Sequence, residues 1–508
     1  MKFINFLNRI KYFIIFLLLG LLLFFHKALI NNFDLLFGGY DNLYCNYVLE
    51  HSFLWLKGVH SSFWSAPFNY YDAHSIAQFD SFIGVLPFYW FLRMFIKDPL
   101  NAFRILFVFV SVLNYVSFYY LLKCLKIKSL ASSLGAFIFA FCVLRYFNFD
   151  NFGSFTQFLS IISVIFLFKI KKENKSIVNH FYFLLFSLFL ILQFYTSFQI
   201  GFFTVFCLFF ATIFSLLPKN SRDIVIVFLK DFYKYILFYA LIIFLSLFPM
   251  MYQFSCIEYF TPLSTILGNI ANYSIWFRSL SVLDNLIKFN FDFISYKAQF
   301  SSMSFGIITT IIAIFALFKT TKIKGVSLLT LFFILLISSG QSAIYFWNIF
   351  YYFSFGIESI DSVYCISFMA LVIVSLGIAL FVNNTDNKIV LILAVLFVTI
   401  EQIPHNSDFY SSYKNYYISK KEFISSIKKL NVEDSYIYVK YKPQNSNEFG
   451  KIDKEIKDEK AQKIADIKAM WLGLELNKPV TNNYIKKSKS QNTLNIKAID
   501  LIVDYNQI

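Results

Sequence analysis

The chain has 508 residues, 58% of them hydrophobic and 15% charged, with a mean hydropathy of +0.61. Soluble domains average about 45–50% apolar and about 25% charged residues, so composition excludes an ordinary soluble globule and points to a polytopic membrane protein. The net charge of +15 does not indicate nucleic acid, because the lysines and arginines sit largely in short turns between apolar runs or in the polar tail. Basic turns of that kind write membrane topology.

Taken in order, the chain opens with Lys2, Arg9 and Lys11 ahead of a long apolar run. The run ends at His26-Lys27 without a small-x-small cleavage site, which predicts an uncleaved first helix. Apolar runs follow near 103–122, 130–147, 153–168, 180–197, 198–217, 233–251, 303–318, 326–340, 363–382 and 388–404. Spans need about 20 apolar residues, with about 17 as the lower limit. Segment 81–96 is short and interrupted by Pro87.

Charge decides that segment. With the N-terminus inside and 81–96 dipping without crossing, four basic turns fall on the cytoplasmic side: Lys123/Lys126/Lys128, Lys169/Lys171/Lys172/Lys175, Lys219/Arg222 and Lys319/Lys322/Lys324. The positive-inside rule then favours eleven spans, with the C-terminus outside. The expected fold is mainly α, a transmembrane bundle of 11–12 spans over residues 1–404, with a first outer loop at 31–80. The tail 405–508 is expected to form a small extracytoplasmic α/β domain. Its signals are the capping-box pattern Ser419-Lys420-Lys421-Glu422 and strand-like runs at 436–439 and 501–503. Richness in Phe (69) and Tyr (33) beside Ile, Lys and Asn reads as the coding bias of an AT-rich bacterial genome. The expected location is therefore the inner membrane of a bacterium. The six cysteines form no metal or redox motif.

Polar chemistry concentrates in the first outer loop. Gly38-Gly39-Tyr40-Asp41-Asn42 opens it, and Tyr44, Tyr47, Val48, His51 and Trp55 then recur at helical spacing, predicting a helix lying in the interface. Asp41 reads equally well as that helix's N-cap, fed by the glycine turn. Asp80 begins an apolar run and also reads as a cap. Two carboxylates flanking one loop nevertheless suit a defined task. One can serve as general base on an acceptor hydroxyl, and the other can orient the acceptor or hold a cation beside a phosphate. His51 and His60 have no metal-ligand spacing. No tandem repeat or matched pair of broken helices appears, which speaks against a secondary transporter, and there is no Walker motif.

A first membrane helix, a large outer loop opening on an Asp, many spans and a soluble outer tail together resemble the GT-C superfamily of polytopic glycosyltransferases. The motif places are Gly38-Gly39-Tyr40-Asp41, Trp64-Ser65-Ala66-Pro67 and Phe79-Asp80, with Arg145-Tyr146 and Gln157 in a following turn. Residues 470–472 and 477–484 are similar to the end of the same group. Two departures stand out. The family's histidines in the turn are replaced by Asp150 and Ser154, and arginines that precede a late helix are replaced by Glu358 and Asp361.

The resemblance implies transfer of a sugar from a polyprenyl-phosphate donor to an envelope glycan, lipid or protein, with inversion. It makes Asp41 the catalytic base. Asp80, Arg145, Asp150 and Gln157 become substrate-binding residues, Arg145 facing the leaving phosphate. Membrane lipid, the lipid-linked sugar and the envelope acceptor are the implied partners. A divalent cation, Mg or Mn, is compatible with the family, although no ligand set predicts it. From their local sequence alone, Arg145 equally reads as an interfacial arginine, and Asp150 and Gln157 as polar turn residues. Two other readings stay open: a non-enzymatic translocator or assembly protein of envelope polysaccharide, and an inactive GT-C-like scaffold.

Overall fold

The computed structural model describes residues 2–30, 35–37, 40–67, 74–78, 80–149, 151–256, 263–268, 270, 276, 303–319, 324–352, 360, 363–403, 410–412, 437–440, 466, 470–471 and 499–502. The chain is mainly helical. In order come α1 (Lys2–Ile30), β1 (Leu35–Phe37), α2 (Tyr40–Leu56), α3 (Leu86–Phe95), α4 (Pro99–Cys124) and α5 (Ser129–Phe141). Next are α6 (Val143–Phe147), α7 (Phe152–Phe155), α8 (Phe158–Lys169), α9 (Ser176–Thr196), α10 (Phe198–Ser215), α11 (Lys219–Ser255) and α12 (Leu263–Gly268). The last helices are α13 (Ile307–Lys319), α14 (Lys324–Ser338), α15 (Gly340–Phe350), α16 (Ser367–Asn384) and α17 (Lys388–Glu401), followed by β2 (Tyr410–Ser412), β3 (Ile437–Lys440) and β4 (Ile499–Ile502).

Local chemistry sets several helix starts. Asp98 caps α4 by accepting from the Asn101 amide, with Pro99 in the first turn where its missing N–H costs nothing. Asn387 caps α17 through the amides of Ile389 and Val390. Among the described residues, seven helices are long and apolar enough to cross a membrane; the apolar parts of α1, α13 and α14 are shorter. The chain is thus built as a membrane protein, and the eleven apolar runs all fall on helices. Helix α3 has ten residues, about 15 Å of rise against a hydrocarbon core of about 30 Å. It is shorter than a full span.

Contacts sort the helix ends onto two rims. On one, β1 pairs antiparallel with β2, Ser81 Oγ donates to the Tyr195 carbonyl, and the Val143 amide donates to Gln402 Oε1. On the other, the Lys128 amide donates to Asn383 Oδ1, and Lys172 pairs with Asp231 at 3.3 Å. Of the loop acids, Asp80 lies at the first of these rims, beside Ser81; of the basic turns, Lys128 and Lys172 lie at the second. Small residues bring the helices close. A methyl on Gly377 of α16 would meet the Ala313 carbonyl of α13 at 2.8 Å, and one on Gly135 of α5 would meet the Ser375 carbonyl at 3.0 Å. Close backbone approach of this kind is how membrane helices gain packing energy where lipid supplies no hydrophobic force.

One expectation is corrected. Helix α2 does not lie in an interface with one wet face. From Asn42 to Phe53 every residue is buried. Its polar side, Asn46 and Glu50, meets Tyr89 and Arg93 of α3, with Glu50 bound by both arms of Arg93 at 2.6 and 2.7 Å. Its aromatic side meets the tail: Trp471 stands edge-on to Tyr47 at 5.8 Å and donates from its indole nitrogen to the Leu43 carbonyl. The sequence pattern looked amphipathic because both faces are covered by protein, one polar and one aromatic. In the tail, β3 and β4 pair in parallel. The helix expected from Ser419 lies outside the described residues, and the α/β domain is not established by this one strand pair.

Candidate functional site

Asp80, at the end of the first loop, is anchored to a distant helix. Its Oδ1 accepts from the Phe198 amide at 3.0 Å. That amide is the first of α10, so a carboxylate distant in sequence serves as the helix's anionic cap. The neighbouring backbone is fastened to the same corner: Ser81 Oγ donates to the Tyr195 carbonyl at 2.5 Å, and the Gly84 amide donates to Thr196 Oγ1 at 3.0 Å. Between them Phe82 holds a left-handed φ of 56°, a conformation that costs a bulky residue about 1–3 kcal/mol and persists only where its surroundings over-determine it.

Asp80 packs on α7. A methyl at Gly153 would lie 1.9 Å from Asp80 Oδ2 and 3.3 Å from Ser197 Oγ, so glycine is required there for space. The Ser197 hydroxyl is buried and has no hydrogen-bond partner among the described residues. Ser154, next along α7, has its Oγ 3.2 Å from Cys365 Sγ, and Cys365 also donates to Gln199 Oε1 at 2.9 Å. The first loop, α7, the start of α10 and the turn before α16 thus contribute polar atoms to one corner of the acidic rim.

Asp41 joins this corner through Cys45. The structure starts α2 at Tyr40, so Asp41 lies in its first turn rather than at the N-cap, and its side chain is exposed. Cys45, one helical turn further on, is buried. Burial, then the charges of Asp41 and Asp80, push its thiol well above the ordinary value, while amide hydrogen bonds from Phe152 and its own backbone pull the other way. Both carboxylates, from opposite ends of the first loop, thus raise the same thiol, after burial. Asn42 secures the arrangement by donating from Nδ2 to the Phe149 carbonyl at 2.6 Å.

Arg145 and Gln157 are brought together but lie elsewhere, inside the bundle. The Arg145 guanidinium is fully buried. It donates to the Phe139 carbonyl at 2.5 Å, the Phe155 carbonyl at 2.7 Å and Gln157 Oε1 at 2.8 Å, and packs on the rings of Phe139, Phe155 and Phe368. Gln157 donates in turn to the Phe368 carbonyl at 3.1 Å. This network repairs two helix breaks, between α5 and α6 and between α7 and α8. Asn114 donates to the Phe155 carbonyl and Gln193 to the Thr156 carbonyl. Backbone freed inside a membrane bundle must find such partners. The geometry makes Arg145 a structural brace rather than an open anion site. Asp150, Glu358 and Asp361 lie outside the described residues.

Several groups here carry no readable sequence signal. Asn114 and Gln193 are single amides in apolar runs. Glu401 could have been suspected, being a lone acid ending an apolar run. It is fully buried and accepts from the amides of Ile308 and Thr309, each at 2.7 Å, capping α13 from across the fold. His51 and His60, by contrast, form a pair: their Nδ1 atoms are 2.7 Å apart, their rings stack, and His51 Nε2 lies 3.0 Å from the Phe63 carbonyl. Burial pulls both imidazoles down, His51 to about 4. The donor set does not fit a divalent cation well. No group of three or more His, Cys, Asp or Glu side chains converges among the described residues, and Asp80 already receives a backbone amide.

No family model matches this chain, and no curated protein or solved structure matches it.

Proposed function

We propose that the chain is an integral-membrane glycosyltransferase of GT-C type that moves a sugar from a polyprenyl-phosphate donor to an envelope acceptor. The reaction runs at the acidic rim, outside the cytoplasmic membrane. In this reading eleven segments span, the N-terminus is cytoplasmic and the tail extracytoplasmic. The observation that carries it is the pair of carboxylates at the two ends of the first loop, Asp41 exposed in the first turn of α2 and Asp80 fixed at the start of α10.

Asp41 takes the proton of the acceptor hydroxyl. The freed oxygen forms a bond to the anomeric carbon while that carbon's bond to the phosphate oxygen breaks, so the sugar inverts and the polyprenyl phosphate leaves with the bonding pair. A positioned base of this kind is worth about 10²–10⁴ in rate. Asp80, held by a backbone amide, orients the acceptor, and the buried Ser197 hydroxyl beside it is a further donor in the same corner. Arg145 and Gln157 act by holding the broken helices that carry α7.

The translocator reading is weaker. Ionisable groups deep in spans mark transport paths, but Arg145 and Glu401 spend their donors and acceptors on backbone.

The test supplies the purified full-length protein, in lipid nanodiscs, with labelled polyprenyl-phosphate sugars and an envelope extract. Transfer by wild type, lost in Asp41→Asn, supports the reading; full-rate transfer by Asp41→Asn removes Asp41 as base. No transfer by wild type from any donor favours the inactive scaffold. A reporter fused after Ile508 checks the topology, and a cytoplasmic signal there overturns the eleven-span arrangement.

A further inference from the structure

Helix α2 is fixed differently along its length. From Asn46 onward it is bound to α3: Asn46 and Glu50 accept from the Tyr89 hydroxyl, Glu50 pairs with Arg93, and the Trp90 indole donates to Ser52 Oγ at 3.0 Å. The first turns, where Asp41 sits, are held from elsewhere. Asn42 reaches the Phe149 carbonyl, and the Leu43 carbonyl accepts from the indole nitrogen of Trp471 at 3.3 Å.

The tail meets this end of the helix in particular. Trp471 and its neighbour Met470 are both buried. The Trp471 ring stands edge-on to Tyr47, which itself stacks on Tyr44 at 6.4 Å. A helical carbonyl keeps a second lone pair after accepting from its own turn, so the indole grips the helix backbone itself. The tail also holds the chain just ahead of α2, where β2 pairs with β1 from Leu35 to Phe37. Tail contacts therefore fall on both sides of Asp41, at Phe37 before it and at Leu43 after it.

We propose that Trp471 is a positioning residue for Asp41: its bond to the Leu43 carbonyl sets the first turn of α2, and the base takes its working place only with the tail seated there. The inference rests on the reading of Asp41 as the base. It adds a requirement to that reading, a tail residue more than four hundred positions away in the chain. A misplacement of about 1 Å costs up to about 10²-fold in rate, so a small swing of the first turn is enough.

Trp471→Phe tests this in the full-length protein in nanodiscs. Phenylalanine keeps a ring against Tyr47 and removes only the donor, and the Leu43 carbonyl retains its helical partner, so the variant is expected to fold. Hydrogen exchange read by mass spectrometry needs no turnover. Exchange should quicken about tenfold in residues 43–47 and stay unchanged in residues 49–56. No change in either segment overturns the proposal. Faster exchange throughout the bundle also overturns it, by making Trp471 a general packing residue.

Initial rates test the link to Asp41. Trp471→Phe should lower kcat about tenfold at unchanged donor KM. In the Asp41→Asn background the same change should cost nothing further, because the base it places is already gone. A further multiplicative loss there overturns the proposal while leaving Asp41 as base. Full-rate transfer by Asp41→Asn removes the base, and the proposal with it. No transfer by wild type fails the transferase reading instead, and the exchange result alone then decides whether Trp471 fixes this turn.

Discussion

Asp80 Oδ1 lies 3.0 Å from the amide nitrogen of Phe198, and this single bond joins the end of the first loop to the start of a helix more than a hundred residues later. The carboxylate does two jobs there. It completes a helix terminus whose own N-cap residue, Ser197, makes no side-chain cap, and it brings a negative charge to the corner that Asp41 also reaches. Structural and chemical roles are thus superimposed on one residue, and experiments must separate them.

Gly153 offers the first separation. Its missing side chain leaves the space that Asp80 Oδ2 occupies, and a methyl would sit 1.9 Å from that oxygen. Gly153→Ala is expected to lower the melting temperature and to displace Asp80. In the Asp80→Ala background the clash is gone, so the same change should cost far less. A double-mutant cycle read by thermal unfolding in detergent should give a coupling of about 0.5–3 kcal/mol. Additive effects would mean that the two residues do not share the space.

Asp80 and Asp41 should also differ from one another. Replacing a capping acid by Ala costs about 0.5–2 kcal/mol, so Asp80→Ala is expected to lose stability and transfer together. Asp41 is exposed in the first turn of α2, where a carboxylate contributes less than about 1 kcal/mol to the helix. Asp41→Asn should therefore leave the melting temperature nearly unchanged while transfer falls by about 10²–10⁴. Measuring both quantities on both variants decides between a base and a cap; a large melting shift in Asp41→Asn would assign it to structure.

Arg145 predicts a stability phenotype. Removing it leaves the carbonyls of Phe139 and Phe155 and the Gln157 amide oxygen short of a donor, at about 1–3 kcal/mol for each buried group left unsatisfied. Asn114 still serves the Phe155 carbonyl, so the loss there is partial. Arg145→Lys should keep the charge yet fail to span three acceptors, because its single ammonium lacks the planar fork. Low yield of folded protein, with normal donor KM in whatever folds, is the expected pair of results. A normal melting temperature with raised donor KM would return Arg145 to the phosphate.

How far the sequence foresaw this can be judged residue by residue. The apolar runs announced the helices, because spans depend on local composition alone, and the short run broken by Pro87 was legible as a short helix. Asp80 was legible as a capping residue, but the helix it caps was not, since that partner is set by tertiary packing. Arg145 misled because an arginine near a turn looks the same in sequence whether it faces a phosphate or two carbonyls. The burial of α2 was hidden by the tail: Trp471 covers Tyr47 from more than four hundred residues away. His51 and His60 gave no metal spacing, and their direct pairing depends on a turn at Gly58, where φ is +73°.

That pair gives the last prediction. His51 Nε2 faces the Phe63 carbonyl and so carries its proton there, which makes its Nδ1 the acceptor of the bond from His60. Protonating His51 destroys that acceptor and sets two cations against each other. Glu50 raises His60, but Glu50 is already held by Arg93. The sign follows from the depressed folded values. Above pH 6.5 both states are neutral and the pair contributes its full stability; below it the unfolded chain takes up protons that the folded chain refuses, down to about pH 4 for His51. Stability should thus fall as pH drops from 6.5 towards 4, by about 3 kcal/mol for His51 at 1.36 kcal/mol per unit, with His60 adding in the same direction. His51→Phe should flatten this part of the curve. Thermal unfolding of wild type and variant between pH 7.5 and pH 4.5 checks it, and parallel curves would show that the imidazoles do not titrate as a pair.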